Sequence, residues 1–408
     1  MVKLLLAFAF LLLPVLLRAQ TDSITVNHII VKDTANKRDL IDIARSIVHV
    51  RSRPIANNEK KKFYFSILPV TTSAATDNKM LITSTTAGVY FGDQRTTYLS
   101  TLDFAPYFNL KGRYGLPIHS SIWLNNNTYN IQGDSRLLVY PQYTWGLGGG
   151  RQADDKYLVN YKYLRLYQSA LKRITPYFFA GIGFNLDYYF DVDNDDNGTN
   201  TTLSQFSGYK YGTQMNQSSF SLGPSLNLLY DSRNNLINPL PGWYANLVYR
   251  YNPTFLGSND NWQTLYVDVR KYVSLTKTEQ KNQLAFWTYY WTAISPGVPY
   301  LSLPAIGMDP YQRSGRGIEQ NRYRGSSLIY FESEYRRDIT DNGLFGFVLF
   351  ANINSATQVN TRQFRYWNPA GGGGLRIKFN KKSDTNVGID YGFSKDYSAI
   401  FLNLGEAF

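Results

Sequence analysis

The sequence predicts an all-β chain closed into a transmembrane antiparallel β-barrel of sixteen strands. Three observations predict it. From Phe63 onward, segments of about ten residues alternate apolar and polar with a period of two, the length a tilted membrane strand needs. Aromatics crowd the segment ends, as in Trp243-Tyr244, Tyr289-Tyr290-Trp291 and Tyr366-Trp367, where interfacial girdles lie. Long and short connections also alternate, as a single-chain barrel requires.

Composition bounds the alternatives. Aromatics make up 16% of the 408 residues, with 33 Tyr, and charged residues only 18%, a balance that favours strands over helices. A mean hydropathy of −0.32 fits, because only every second strand residue meets lipid. The chain carries 42 Lys+Arg against 30 Asp+Glu, a net charge of +12, and no cysteine. Disulfide scaffolds, zinc-thiolate sites, iron–sulfur clusters and thiol catalysis are thereby excluded. After the N-terminal region no apolar run is long enough for a spanning helix.

Taken in order, residues 1–20 read as a secretory signal peptide. Lys3 gives the positive start, Leu4–Leu17 the apolar stretch and Arg18-Ala19-Gln20 a small-residue exit, with a membrane anchor as the rival reading. Residues 21–62 read as a periplasmic tether. Within it, Asp39–Val50 sets Leu40, Ile43, Ala44 and Ile47 on one face of an amphipathic helix that docks on something larger. Lys60-Lys61-Lys62 is a solvated or headgroup-facing flank, and no nucleic-acid recognition fold accompanies it.

The barrel, 63–408, divides into segments at 63–70, 81–92, 97–108, 117–127, 134–146, 156–169, 174–191, 214–231, 242–252, 262–275, 283–294, 326–337, 343–353, 368–379, 385–393 and 398–408. In Val387–Phe393, Val387, Ile389, Tyr391 and Phe393 oppose Gly388, Asp390 and Gly392. In Leu265–Val273, Leu265, Val267, Val269 and Val273 oppose Tyr266, Asp268, Arg270 and Tyr272. With both barrel ends in the periplasm, the long loops 192–213, 295–325 and 354–367 all fall on odd-to-even, extracellular connections. Most short turns (93–96, 128–133, 170–173, 338–342, 380–384) fall on the opposite side, with 232–241 the longer exception. Sixteen strands leave a lumen wide enough for water unless something fills it.

The 295–325 loop is rich in arginine (Arg313, Arg316, Arg322, Arg324) and cannot lie in lipid, but it can fold into a polar lumen. Inward-facing Glu332, Glu334 and Asp390 are natural partners, since a guanidinium fork matches a carboxylate bidentately. The alternative is an eyelet of arginines that tunes ion selectivity. At the barrel's closure, the first segment (Phe65, Ile67, Pro69) is short and Pro69 removes a ladder donor, while Gly405 loosens the last (Phe401, Gly405, Phe408). Such a seam, opened, exposes unpaired edges.

Four stretches in order resemble the BamA/TamA family of outer-membrane assembly barrels, also called the bacterial surface antigen family. They are Tyr230-Asp231-Ser232-Arg233-Asn234 with Pro241-Gly242; Arg316-Gly317-Ile318; Glu334-Tyr335-Arg336; and Gly371–Arg376 with Asp390-Tyr391-Gly392 and the closing Gly405-Glu406-Ala407-Phe408. The match spans about residues 216–408. Two departures stand out: Ile318 replaces the family's aromatic, and the 43-residue prefix has no room for periplasmic repeat domains. The resemblance implies Arg316 as the loop-tip residue, with Gly317 beside it and Asp390 or Glu334 as acceptor. It also implies a place in the outer membrane of a Gram-negative cell, reached by the general export pathway. Insertion or translocation of proteins or lipids through a lateral seam would be the function. Outer-membrane lipids, unfolded client barrels and periplasmic accessory proteins would be the partners. A passive or gated pore without assembly activity is the alternative.

An enzyme is not expected. His28 and His49 lie in the tether, His119 stands alone, and there is no Gly-x-Ser-x-Gly elbow. One partial calcium loop exists at Asp193, Asp195 and Asn197, with Gly198 at the turn but Ser204 where a bidentate Glu belongs. The competing reading is a solvated acidic loop bridged to surface lipids by divalent ions. No other cofactor is expected.

Overall fold

The structure, a computed structural model, describes residues 36–47, 63–72, 80–93, 96–104, 106–109, 112–194, 201–214, 218–233, 238–239, 241–276, 281–359, 361–381 and 384–408. One antiparallel sheet of eighteen segments makes up nearly all of it. In chain order these are β1 (Phe63–Thr72), β2 (Met80–Val89), β3 (Ser100–Phe104), β4 (Tyr107–Asn109), β5 (Tyr114–Trp123), β6 (Tyr129–Val139), β7 (Gln142–Thr144), β8 (Tyr157–Thr175) and β9 (Phe178–Asn194). The second half follows as β10 (Ser219–Asp231), β11 (Gly242–Asn252), β12 (Trp262–Ser274), β13 (Asn282–Ala293), β14 (Ser327–Asp338), β15 (Phe345–Ala356), β16 (Asn368–Asn380), β17 (Thr385–Phe393) and β18 (Ser398–Leu404). β3 and β4 both pair with β2 and β5, so together they form one interrupted strand. β6 and β7 share β8 in the same way. Among the described residues the barrel therefore has the sixteen strands that the periodicity predicts.

The faces alternate as a membrane barrel demands. In β10, Ser221, Ser225 and Asn227 point inward and are buried, while Leu226 is 56% and Leu228 40% exposed on the outside. Leu349, Leu375, Ile389, Tyr391 and Ile400 continue that outer apolar belt, a surface that water would not tolerate and lipid would. The interior departs from the polar lumen expected from sequence. Tyr266, Tyr289, Tyr330 and Trp287 form an aromatic tier within it.

Three strand boundaries differ from the sequence reading. The turn expected at 128–133 lies at Asn125–Asn127, where Asn126 and Asn127 both adopt φ 54°. Asparagine tolerates this left-handed region, so the Asn triplet was the turn signal. Gly133 instead sits within β6, because a Cβ there would stand 2.5 Å from Ser120 Oγ and 2.7 Å from Gln168 Nε2. The turn expected at 170–173 falls at Pro176-Tyr177, and β8 runs on to Thr175. The last strand, expected to reach Phe408, stops at Leu404.

Helix α1 (Leu40–Ile47) lies within the predicted 39–50 helix. It is attached by its polar start rather than by its apolar face. Asp39 Oδ1 accepts from Asp42 N (2.7 Å) and its Oδ2 from Lys381 N (2.9 Å), and Lys381 Nζ also reaches Asp42 (2.7 Å). Arg38 N donates to Asn342 O at 3.1 Å. The helix thus sits on the β14–β15 and β16–β17 turns, at the barrel end that carries the short connections. Ile47 stays 70% exposed. Residues 1–20, read from the sequence as a signal peptide, and the Lys60–Lys62 flank lie outside the described residues.

Candidate functional site: the lumenal loop and the seam

The long β13–β14 connection folds into the barrel. Its Ile306, Ile318 and Tyr323 are buried against the inward aromatics Tyr266, Tyr289 and Tyr330. Glycines and short turns let the chain reverse repeatedly, and arginines tie the result to the walls. Arg324 donates to Tyr300 O (2.7 Å) and Asn321 Oδ1 (2.7 Å), Arg322 pairs with Asp396 (2.8 Å), and on the far wall Arg136 Nη2 donates to Pro310 O (2.6 Å).

At the tip stands Arg316, 3% exposed. Its Nη1 donates to Asp390 Oδ2 at 2.7 Å, and its Nη2 donates to both Glu332 and Glu334. The guanidinium lies 3.8 Å above the Phe350 ring, and Arg316 O accepts from Asn352 Nδ2 at 2.9 Å. Period-two alternation delivers these partners: Glu332, Glu334 and Arg336 share the inward face of β14, Arg376 that of β16 and Asp390 that of β17. Gly317 follows at φ +87°, where a Cβ would come within 2.6 Å of Phe393 N. Only glycine brings the loop backbone that close to β17.

The acids are shared further. Arg336 Nε donates to Glu334 Oε2 (2.6 Å), and Arg376 bridges Asp390 and Glu406, the latter at 2.9 Å. Lys281 Nζ lies 3.7 Å from Glu406. Four cations (Lys281, Arg316, Arg336, Arg376) therefore face four carboxylates (Glu332, Glu334, Asp390, Glu406). Balance of this kind is what makes burying so many charges tolerable.

Glu406 belongs to a tail that sequence reading assigned to the seam strand. Gly405, at φ +86°, turns the chain into the lumen after Leu404. Phe408 ends 4% exposed against Trp287, ring centroids 5.2 Å apart. Gly405 N still donates to Asn386 O of β17 at 2.8 Å, whereas Phe408 stands apart from the strand edge where the seam assignment put it. A parity conflict was the available signal. Continued alternation would have set Glu406 with Ile400, Leu402 and Leu404 on the lipid face, where a carboxylate is costly. The Phe350 platform beneath the tip, and Glu406, Phe408 and Lys281 in the cluster beside it, all went unpredicted.

Phe65, Ile67 and Pro69 lie on β1 opposite Ala87, Thr85 and Thr83 of β2, and Phe401 lies on β18 opposite Asp390. Ladders join each barrel strand to the next along the chain. β1 runs beside β18, yet no ladder joins that pair among the described residues. Asp193 is the penultimate residue of β9, next to its final residue Asn194, whereas Asp195 and Asn197 lie outside the described residues. His119 Nε2 is 3.3 Å from Asp134 Oδ1 and 3.3 Å from Arg136 Nη2, a place within a charged wall cluster.

No protein-family model matches the chain, and no curated protein does. Solved structures do. BamA from Haemophilus ducreyi lacking POTRA domains 1–3 aligns with a TM-score of 0.50 at 13% identity, over 89% of this chain and 76% of that one. The fold is that of a BamA-like barrel. CdiB from Acinetobacter baumannii (TM-score 0.50, 11% identity, 86% and 67% of the two chains) and CdiB from Escherichia coli (0.52, 9%, 84% and 61%) share it.

Proposed function

We propose that this BamA-like barrel resides in the outer membrane and takes part in inserting or translocating proteins or lipids there, through a lateral opening between β1 and β18. One observation carries the reading. The barrel is laddered strand to strand except at its closure, where the seven-residue β18 meets β1 with no ladder among the described residues. A strand edge that is not already paired can template an incoming strand. The sequence resemblance to assembly barrels supports the same role, with outer-membrane lipids and unfolded client barrels as partners. No catalytic chemistry belongs to this reading. A passive pore fits less well, because the β13–β14 loop occupies the lumen.

The cysteine-free background makes the test direct. Cysteine pairs placed between Phe65–Leu68 and Phe401–Leu404, with the register scanned, would lock the seam in liposomes. Insertion of an unfolded client barrel should stop on oxidation and return on reduction. Insertion that is absent or equal in both states, with the barrel itself folded, would sink the proposal.

A further inference from the structure

The last four residues do something a closing strand does not need. Past Gly405 they leave the sheet, enter the lumen and are buried there: Glu406 is 3%, Ala407 4% and Phe408 4% exposed. The Glu406 carboxylate and the tail's carbonyls meet partners drawn from several parts of the barrel. Glu406 Oε2 accepts from Arg376 Nε on β16 (2.9 Å), and Glu406 Oε1 accepts from Asn386 Nδ2 on β17 (2.8 Å). Phe408 O accepts from Arg336 Nη2 on β14 (3.0 Å), and the same guanidinium stands 5.0 Å from the centre of the Phe408 ring. That ring packs on Trp287 of β13 and Tyr272 of β12. The long loop holds the tail as well, for Arg313 Nη1 donates to Glu406 O at 2.6 Å.

The tail and the loop tip therefore draw on one set of charges. Arg376 divides itself between Glu406 of the tail and Asp390, the acid that Arg316 of the tip also holds. Arg336 divides itself between Phe408 O and Glu334, again a partner of Arg316. Withdrawing Arg316 leaves Asp390 and Glu334 with surplus negative charge, so both pull Arg376 and Arg336 away from the tail. Withdrawing the tail does the reverse.

We propose that Gly405–Phe408 is an internal latch. Docked, it anchors β18 from inside the barrel and holds it beside β1; it releases together with the tip of the β13–β14 loop. The latch rests on the lateral-opening reading above and names what controls that opening. A chain segment or ligand that displaces either element loosens the other, because coupling between two sites is reciprocal.

Backbone hydrogen exchange on the full-length protein in micelles tests this. In Glu406→Gln, exchange should rise about tenfold both in β18 and in the 294–326 loop, the factor expected from losing one buried hydrogen bond to a charged group; the milder Phe408→Leu, which keeps the carbonyl bond to Arg336, should raise it less in the same two places. β8 and β9, which share no partner with the tail, should stay unchanged. Arg316→Lys should reciprocally speed exchange in β18. A rise confined to the tail, or a uniform rise over all strands, overturns the latch. Because no client enters the assay, its failure leaves the insertion proposal standing, and seam-locked liposomes that insert normally would sink the insertion proposal without touching the exchange result.

Discussion

Arg316 is the residue on which most of the interior converges. One planar fork reaches three carboxylates from two strands while its face rests on Phe350. Lysine keeps the charge but offers a single point donor, so Arg316→Lys leaves at least one of Glu332, Glu334 and Asp390 short of a partner. Breaking a buried pair in this way costs about 3–5 kcal/mol. The denaturant midpoint in micelles should fall accordingly, and an unchanged midpoint would show that the acids are satisfied without the tip.

At the scale of elements, helix α1 and the tail are each held in part by one buried carboxylate. Asp39 caps the helix and takes the Lys381 amide. Asp39→Ala should cost about 1 kcal/mol of docking and expose Lys37, Arg38 and Arg45 to trypsin, with the barrel strands still resistant. For Glu406, burial raises the carboxyl pKa, but Arg376, Lys281 and Arg336 outweigh it and hold the group well below the ordinary range. A carboxylate depressed on folding stabilises fully above its unfolded value and loses that stabilisation as pH falls below it. Tail docking should thus be constant from pH 7 down to about 4.5, near the unfolded glutamate value, and weaken below it. Tryptophan fluorescence, which senses Phe408 against Trp287, reads the change; Glu406→Gln should remove its acid limb.

For the whole molecule, sixteen strands enclose a lumen that the β13–β14 loop fills from wall to wall, with Pro310 held on one side and Arg316 on the other. In planar bilayers the protein should conduct poorly. Replacing residues 308–318 with a Gly/Ser linker should raise single-channel conductance several-fold. If conductance does not change, the loop does not close the lumen.

The sequence by itself determined the strand number, the alternation of faces and the end of the barrel on which each loop lies, because period-two patterning and turn residues act locally. It also placed Arg316 on a loop that lipid could not accept, opposite Glu334 and Asp390 on inward faces. Some turns were legible and misjudged, as where Asn125–Asn127 rather than Gly133 reverses the chain. Tertiary structure alone decided that Phe350 lies beneath the tip, and that aromatics rather than water line part of the lumen. It alone turned Glu406 and Phe408 inward. Those outcomes depend on strands far apart in the chain meeting across a closed cylinder, where charge balance and the space left by the loop choose partners that no local pattern encodes.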